Sequence, residues 1–249
     1  WNDFDVMDDE PGYHRDVCTY KKELILDERL KDKVLYLLFE GANQISEVFV
    51  NGELAGKHIG GYTAFYVPLK NNIRFGSNNP NEILVKVDNR HNEDIPPLTA
   101  DFTFFGGIYR DVFLVVKNNV HFSVNDHSSS GVYISTPEVS DSKANVHIKT
   151  IINNVENSSN RLRLHTKLYD AEGKIVSQYK SSFKTEKNND VVVEQTLDAI
   201  DNPHLWSPED PYLYRAVTQI VSSDGEILDE QFNSVGFRWF RFDPKEGFF

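Results

Sequence analysis

The chain lacks the sequence marks of several large classes of protein. Its 249 residues include one cysteine, Cys18, so neither an internal disulfide nor a cysteine-based zinc site can form. The eight histidines show no His-x-His or His-Glu-x-x-His spacing. A Gly-x-Ser-x-Gly nucleophile elbow and a glycine-rich phosphate loop are also missing. The sequence therefore offers no familiar metal, serine hydrolase or nucleotide motif.

Basic residues and long apolar runs are scarce as well. Lys and Arg number 26 against 38 Asp and Glu, and the net charge is −12. The basic residues lie singly along the chain, which argues against nucleic acid and anionic membranes as partners. No window approaches the ~20 apolar residues of a membrane helix. Residues 1–5 are acidic and lack the basic and then apolar order of a signal peptide. Because the chain begins with Trp1, we interpret its N-terminus as trimmed, so a periplasmic and a cytoplasmic location both stay open.

What the sequence does contain is a series of short runs in which apolar and polar residues alternate. This period of two, with turn residues between the runs, is typical of an all-β protein. Asn51-Gly52 after an apolar run predicts a type I′ hairpin, because both residues tolerate positive φ. A polar break follows Val116, and we place a domain boundary there. The predicted strands of the first half are residues 19–26, 34–40, 47–51, 82–88 and 111–116.

The second half repeats the pattern more regularly. Seven strands in about 110 residues match the size of an immunoglobulin-like sandwich. Trp206 is expected in its core, and Arg110 and Asp111 are expected to form an ion pair at the end of the first half. The predicted strands are residues 131–136, 143–152, 161–170, 174–183, 190–197, 212–221 and 226–235.

One loop and the C-terminus depart from the simple pattern. Residues 90–108 form a long segment with Pro96-Pro97, several acids and three phenylalanines, and a loop of this length in a compact domain is typically functional or disordered. Its aromatic residues argue against disorder. The chain ends on Gly247-Phe248-Phe249, an apolar terminus that we interpret as a strand continuing into a longer protein.

Four blocks of sequence resemble the glycoside hydrolase family 2 enzymes, the group of β-galactosidases, β-glucuronidases and β-mannosidases. They occur in the family's order and span nearly the whole chain. The blocks are residues 39–43 with 48–52, FEGAN and VFVNG; 101–112, DFTFFGGIYRDV; 202–214, NPHLWSPEDPYLY; and 235–238 with 247–249, VGFR and GFF.

The resemblance implies a fold and an activity. The expected fold is all-β: a jelly-roll, galactose-binding-like β-sandwich at 1–118, an immunoglobulin-like β-sandwich at 119–235, and at 236–249 the start of a connection to a (β/α)₈ catalytic barrel that lies outside this chain. In the family both catalytic carboxylates belong to the barrel, so no catalytic residue is assigned here. The parent is expected to be a retaining exo-glycosidase, a β-galactosidase in the first place, with β-glucuronidase and β-mannosidase as alternatives.

Residues of two of these blocks are candidates for sugar binding. By resemblance Asp101 matches an acid that reaches into the barrel's pocket, where a carboxylate can accept hydrogen bonds from adjacent hydroxyls. Asn43 matches an asparagine of the same pocket, and its amide can both donate and accept. Phe102 and Phe104 can stack on a sugar ring, as can Phe105. The competing interpretations are a surface acid, a turn asparagine and core aromatics.

The expected partners follow from the same resemblance. They are a carbohydrate substrate and the protein's own C-terminal barrel, with a homo-oligomer left open. No cofactor is assigned to the chain itself, although Asp101 can help to hold a monovalent or magnesium cation in the full-length parent. The alternative functions are a stand-alone carbohydrate-binding module and a purely structural pair of domains.

Overall fold

A computed structural model describes residues 15–70, 72–98 and 105–248. Its contacts divide the chain into two units, 1–117 and 118–249. In the described parts of both units the regular structure is β-strand, apart from one 3₁₀ turn at Glu28–Leu30. The Asp27 side chain caps this turn by accepting a hydrogen bond from the Arg29 amide. The all-β prediction is confirmed.

The first unit is a sandwich of two antiparallel sheets. One sheet has the order β1-β7-β4-β5 and the other β6-β2-β9, and a short pair, β3-β8, lies outside both. The strands are β1 (Val17–Leu24), β2 (Val34–Phe39), β3 (Ala42–Asn43), β4 (Ile45–Val50), β5 (Glu53–Ile59), β6 (Phe65–Pro68), β7 (Asn81–Asp88), β8 (Gly107–Ile108) and β9 (Val112–Lys117).

The core of this unit explains why the strands alternate. Along β7, Ile83, Val85 and Val87 are buried and belong to one apolar cluster with Val48 and Phe39. The predicted hairpin at Asn51-Gly52 is confirmed: both residues have positive φ, 49° and 87°, and Val50 pairs with Glu53. The turn therefore sets the register of β4 against β5.

The second unit is also built from antiparallel sheets. One has the order β15-β14-β18-β19; in the other, β13 pairs with β16 along one edge and with β10 and β11 along the other. Two further pairs are β12-β17 and β20-β21. The strands are β10 (Val120–Phe122), β11 (Val132–Ser135), β12 (Lys143–Ala144), β13 (His147–Asn154), β14 (Arg161–Tyr169), β15 (Ile175–Lys184), β16 (Asn189–Thr196), β17 (Ile200–Asp201), β18 (Tyr214–Val221), β19 (Ile227–Val235), β20 (Phe242–Asp243) and β21 (Gly247–Phe248).

The core of the second unit holds a polar group as well as aliphatic side chains. Leu164, Leu168 and Ile220 are completely buried in the main apolar cluster. Between the sheets, the Thr166 hydroxyl donates to Gln195 Oε1 at 2.7 Å, and Gln195 Nε2 donates to the Leu164 carbonyl at 3.0 Å. These bonds satisfy a buried amide that would otherwise be costly.

Three details differ from the sequence prediction. The predicted strand 143–152 is interrupted, because the Asn145 amide nitrogen bonds to the Glu138 carbonyl and β12 pairs with β17 instead of continuing into β13. Trp206 is half-buried and lies under the Arg238 guanidinium, 5.0 Å from the ring centroid, rather than in the core. Arg110 does not pair with Asp111 in the described structure; it lies over the Tyr109 ring at 5.8 Å.

Candidate functional site

The predicted site residues fall into two groups. Asp101, Phe102 and Phe104 lie outside the described residues. Asn43 is described, and so is Phe105, whose ring is 49% exposed. The geometry around Asn43 and around the two ends of the loop therefore defines the candidate site.

Asn43 is a buried asparagine with a free amide. It is 7% exposed and lies in β3, directly opposite Gly107 of β8. The Asn43 side chain forms no hydrogen bond in the described structure. The Asn43 amide nevertheless keeps some contact with solvent, because its atoms are not among the fully enclosed polar side-chain atoms that lack a partner in the described structure. Those atoms are Ser46 Oγ, Thr150 Oγ1, His165 Nε2 and Asn233 Oδ1. An amide in this position can bind a ligand that brings its own donors and acceptors.

Gly61 forms one wall of this site. A Cβ atom on Gly61 would lie 3.0 Å from both Cγ and Oδ1 of Asn43. The Asn43 amide therefore packs against the backbone of Gly61, with no room for a side chain at position 61. The Tyr109 hydroxyl donates to the Gly61 carbonyl at 2.6 Å and connects this wall to the segment between β8 and β9. At the hydroxyl end of Tyr109, a Cβ on Gly41 would lie 2.8 Å from the ring carbon Cζ. The absence of a side chain at Gly41 thus lets Tyr109 pack closely beside the residue that precedes β3.

Both ends of the long loop lie against β3 and its neighbour Gln44. At the first end, the Gln44 amide nitrogen donates to the Asp88 carbonyl at 3.1 Å, and its side-chain Nε2 donates to the Arg90 carbonyl. At the second end, Gly107 pairs with Asn43. The loop that carries Asp101 therefore begins and ends at the Asn43-Gln44 step.

Charged and polar contacts hold these loop ends. Arg90 forms a two-pronged ion pair with Asp88, with Nη2 2.6 Å from Oδ2 and Nε 3.0 Å from Oδ1. The hydrogen bond from Arg90 lowers the pKa of the Asp88 carboxyl. Asn89 is 2% exposed and its Oδ1 accepts from the Asp16 amide at 2.9 Å. A Cβ on Gly106 would lie 2.1 Å from Asn89 Nδ2, so the second loop end packs directly on this asparagine.

Two titratable rings border the site. Partial burial raises the pKa of the Tyr109 phenol, while Arg110 opposes the shift. His58 stacks on Phe65 with ring centroids 4.2 Å apart, and burial lowers its pKa. Sequence reasoning found neither Tyr109 nor Gly61, although Tyr109 follows the loop within the motif of residues 101–112. Their contact joins residues 48 positions apart, and no local pattern predicts that.

The described residues give no sign of a resident metal or of a membrane-crossing helix. No group of three or more His, Cys, Asp or Glu side chains in the described ranges could hold a metal ion. None of the helical structure there is long and apolar enough to cross a membrane. The described part of the site consists of the neutral hydrogen-bonding groups of Asn43, Gly61 and Tyr109 beside the ion pair of Asp88 and Arg90.

Comparison with known proteins gives the chain its family. The sugar-binding domain of glycosyl hydrolases family 2 matches residues 4–118, and the model named glycosyl hydrolases family 2 matches residues 130–238. The two matched segments cover most of the chain, and the first ends within one residue of the boundary between the two units.

Individual relatives agree with both matches. A β-glucuronidase of Bacteroides fragilis is 33% identical over 100% of this chain and 35% of its own length. A β-galactosidase of Thermoanaerobacter pseudethanolicus is 36% identical over 92% of this chain and 29% of its own length. The structure of Bacteroides uniformis β-glucuronidase 2, covalently bound to cyclophellitol-6-carboxylate aziridine, is 35% identical with a TM-score of 0.89 over 95% of this chain and 28% of that one. The chain spans about a third of each relative, and by these matches it belongs to glycosyl hydrolase family 2.

Proposed function

We propose that this chain is the sugar-binding and immunoglobulin-like part of a retaining exo-glycosidase that removes a terminal β-linked sugar. In this proposal residues 1–118 and 119–235 are the two domains, and residues 236–249 lead to a catalytic barrel. The observation that carries the proposal is the position of the loop ends on either side of Asn43-Gln44. This arrangement brings the motif that carries Asp101 back to a buried amide that has no partner of its own.

Asn43 is proposed to bind a sugar hydroxyl. A hydroxyl both donates and accepts, and the Asn43 amide can supply the matching acceptor and donor. Because the amide is already largely buried and packed beside Gly61, it loses little conformational freedom when the sugar binds. Its competing role, a simple turn asparagine, does not require a free amide.

Asp101, Phe102 and Phe104 are proposed to complete the sugar contacts. A carboxylate bonded to two neighbouring hydroxyls is a strong, charge-assisted arrangement. A phenylalanine ring suits the C–H face of a sugar. These three residues remain assigned by their place in the family motif, next to the described pairing of Gly107 with Asn43.

The sugar itself has two candidates. A β-galactoside is the prediction from sequence, and it is supported by the β-galactosidase of T. pseudethanolicus. A β-glucuronide is supported by the enzymes of B. fragilis and B. uniformis. A stand-alone carbohydrate-binding module is less well supported, because these relatives are all named as glycosidases.

The retaining mechanism is proposed from the chemistry of the family and one relative. Retention needs two carboxyl groups about 5 Å apart, one protonating the leaving oxygen and one attacking the anomeric carbon. The B. uniformis relative is covalently bound to its ligand, as expected for an enzyme with a nucleophile. This chain would then bind and orient the sugar, and both carboxylates would come from the barrel.

The test compares two proteins on one panel of substrates. The product of the complete gene and the 249-residue chain are assayed on aryl β-galactoside, β-glucuronide, β-mannoside and β-glucoside. We expect turnover by the complete protein only, and the preferred substrate decides between the two sugars. Hydrolysis by the purified chain would contradict the proposal, as would a complete protein that is inactive on every substrate.

A further inference from the structure

One face of the second unit collects basic side chains that are scattered in the sequence. Along β14, Leu162, Leu164, Thr166 and Leu168 point into the core, so the alternate residues Arg161, Arg163, His165 and Lys167 point outward. The register with β15 places Arg161 opposite Lys184 and His165 opposite Lys180. We call the outward array the basic face; it consists of Arg161, Arg163, His165, Lys167, Lys180 and Lys184.

The basic face is extended and regularly spaced. Opposing residues on neighbouring strands are about 5 Å apart, and successive outward residues on one strand are about 7 Å apart. From Arg161 to Lys167 the array therefore runs about 20 Å along β14. Arg161, Arg163, Lys180 and Lys184 are all exposed, so their charges are available to a ligand.

These cations have no anionic partner of their own. In the described structure no carboxylate lies within ion-pair distance of Arg161, Arg163, Lys167, Lys180 or Lys184, and Arg163 donates instead to the Ser222 carbonyl at 3.0 Å. On the same sheet, the Glu230 carboxylate of β19 accepts a hydrogen bond from Gln219 of β18.

Two exposed lysines of the first unit are paired with acids across their sheet. There, Lys21 pairs with Glu82 at 2.5 Å across β1 and β7, and Lys57 pairs with Glu47 at 3.2 Å across β5 and β4. Unpaired like charges side by side on a sheet are destabilising. The chain has a net charge of −12, so acids are plentiful, yet the basic face is an array of positive charges without acids. A requirement for folding stability does not explain this arrangement.

The geometry points to a second carbohydrate site: we propose that the basic face binds an extended anionic polysaccharide, one that carries carboxylates or sulfates along its length. Parallel rows of cations several ångströms apart complement a polymer with about one charge per sugar unit. This inference is independent of the bond that the parent protein cleaves, although the choice of a glycan rests on the family of the chain.

Nucleic acid fits the basic face less well. Duplex DNA carries a charge every ~1.7 Å, far denser than this array. Single strands are held by aromatic side chains on which bases stack. The outward positions between the cations are occupied by Ser182 and His165, which are not aromatic platforms, and Tyr169, the next outward residue of β14, already lies under the Arg215 guanidinium.

His165 provides an internal reporter of the site. Its Nε2 is enclosed without a partner, and it faces Lys180 on β15 and Gln219 on β18, with Arg163 and Lys167 on its own strand. Burial lowers the pKa of His165, and Lys180, Arg163 and Lys167 lower it further. An anion bound on this face would offset the neighbouring cations and raise the pKa of the imidazole.

Binding is tested with the 249-residue chain and four polymers: polygalacturonate, dextran sulfate, uncharged dextran and a DNA duplex. The face variant carries Lys167→Gln, Lys180→Gln and Lys184→Gln. The matched control carries Lys22→Gln, Lys70→Gln and Lys149→Gln, three exposed lysines elsewhere that remove the same charge. Thermal unfolding of each variant checks that folding is intact.

We expect polygalacturonate, dextran sulfate or both to bind the chain, with no binding to dextran and weaker binding to DNA. The face variant should bind about tenfold more weakly at low salt, and the control should match the unmodified chain. In NMR titrations the pKa of His165 should rise with the bound polymer. Equal affinity in the face variant, a preference for DNA, or no binding to either acidic polysaccharide would overturn the proposal.

Discussion

Asn43 lies opposite Gly107 where β3 pairs with β8, and this pairing connects a free amide to the end of the 90–106 loop. The other end of the same loop is bonded to Gln44, the next residue. The sugar contacts proposed for Asn43 and Asp101 therefore depend on one short structural element.

Gly61→Ala should weaken substrate binding with little loss of fold stability. The new methyl group would contact Asn43 Oδ1 at 3.0 Å and displace the amide, whereas the backbone of Gly61 does not require positive φ. We expect kcat/KM of the complete enzyme to fall about tenfold, mainly through KM. The control is Gly236→Ala, where the nearest atom would be 3.3 Å away in the second unit. An unchanged KM in Gly61→Ala would argue against a role for this wall.

Tyr109→Phe should destabilise the first unit by about 1 kcal/mol, because the hydrogen bond to the Gly61 carbonyl is lost. Urea unfolding of the chain measures the change. Tyr179→Phe is the matched control, since its exposed hydroxyl has no partner in the described structure. Equal stability of both variants would show that the Tyr109 contact contributes nothing measurable.

Gln195→Ala should destabilise the second unit by about 2–4 kcal/mol, because three hydrogen bonds of the buried amide, to Thr166, Leu164 and Ser181, are lost and a cavity opens. The Thr166 hydroxyl keeps only its longer bond to Thr218, at 3.3 Å. Thr196→Ala, one residue along on the exposed side of β16, should cost under about 0.5 kcal/mol. Calorimetry of the two variants makes the comparison. Similar melting temperatures would contradict the role assigned to the buried amide.

The Asp88–Arg90 pair predicts a pH dependence of the loop ends. The pKa of Asp88 is lowered in the folded state, so its stabilising effect is present above the ordinary aspartate value of about 4 and is lost as the pH falls through the lowered pKa. Arg90→Gln should raise the pKa of Asp88, as followed by the carboxyl carbon shift in NMR. The pair is exposed on its arginine side, so we expect a small stability change. An unaltered Asp88 titration in Arg90→Gln would refute this assignment.

Local patterns predicted the strands well because burial alternates along them. Ile83, Val85 and Val87 are buried in the structure as their spacing indicates, and Asn51-Gly52 forms the expected hairpin. The strand 143–152 was predicted as one element since its apolar residues alternate throughout. The strand is interrupted at Asn145 by a backbone hydrogen bond to Glu138, and the alternation of apolar and polar residues does not predict that bond.

Contacts across the sheet could not be predicted in the same way. Arg161 and Lys184 lie singly in the sequence, and only the register of β14 with β15 brings them together. Asn43 was found through its family motif, but the wall formed by Gly61 and Tyr109 was not, since its residues come from separate segments. The ion pair expected between Arg110 and Asp111 was wrong because Arg110 lies over Tyr109 instead.

The most direct test of the account measures kcat/KM for the complete protein and for Asn43→Ala, on the preferred aryl glycoside and on analogues that each lack one hydroxyl. If Asn43 binds a sugar hydroxyl, the variant should lose about 10- to 100-fold on the full substrate and little on the analogue lacking that hydroxyl. Asn233→Ala, in the second unit, should behave like the unmodified protein. Equal losses on every substrate, or no loss at all, would contradict the central claim that this domain reads the sugar through Asn43.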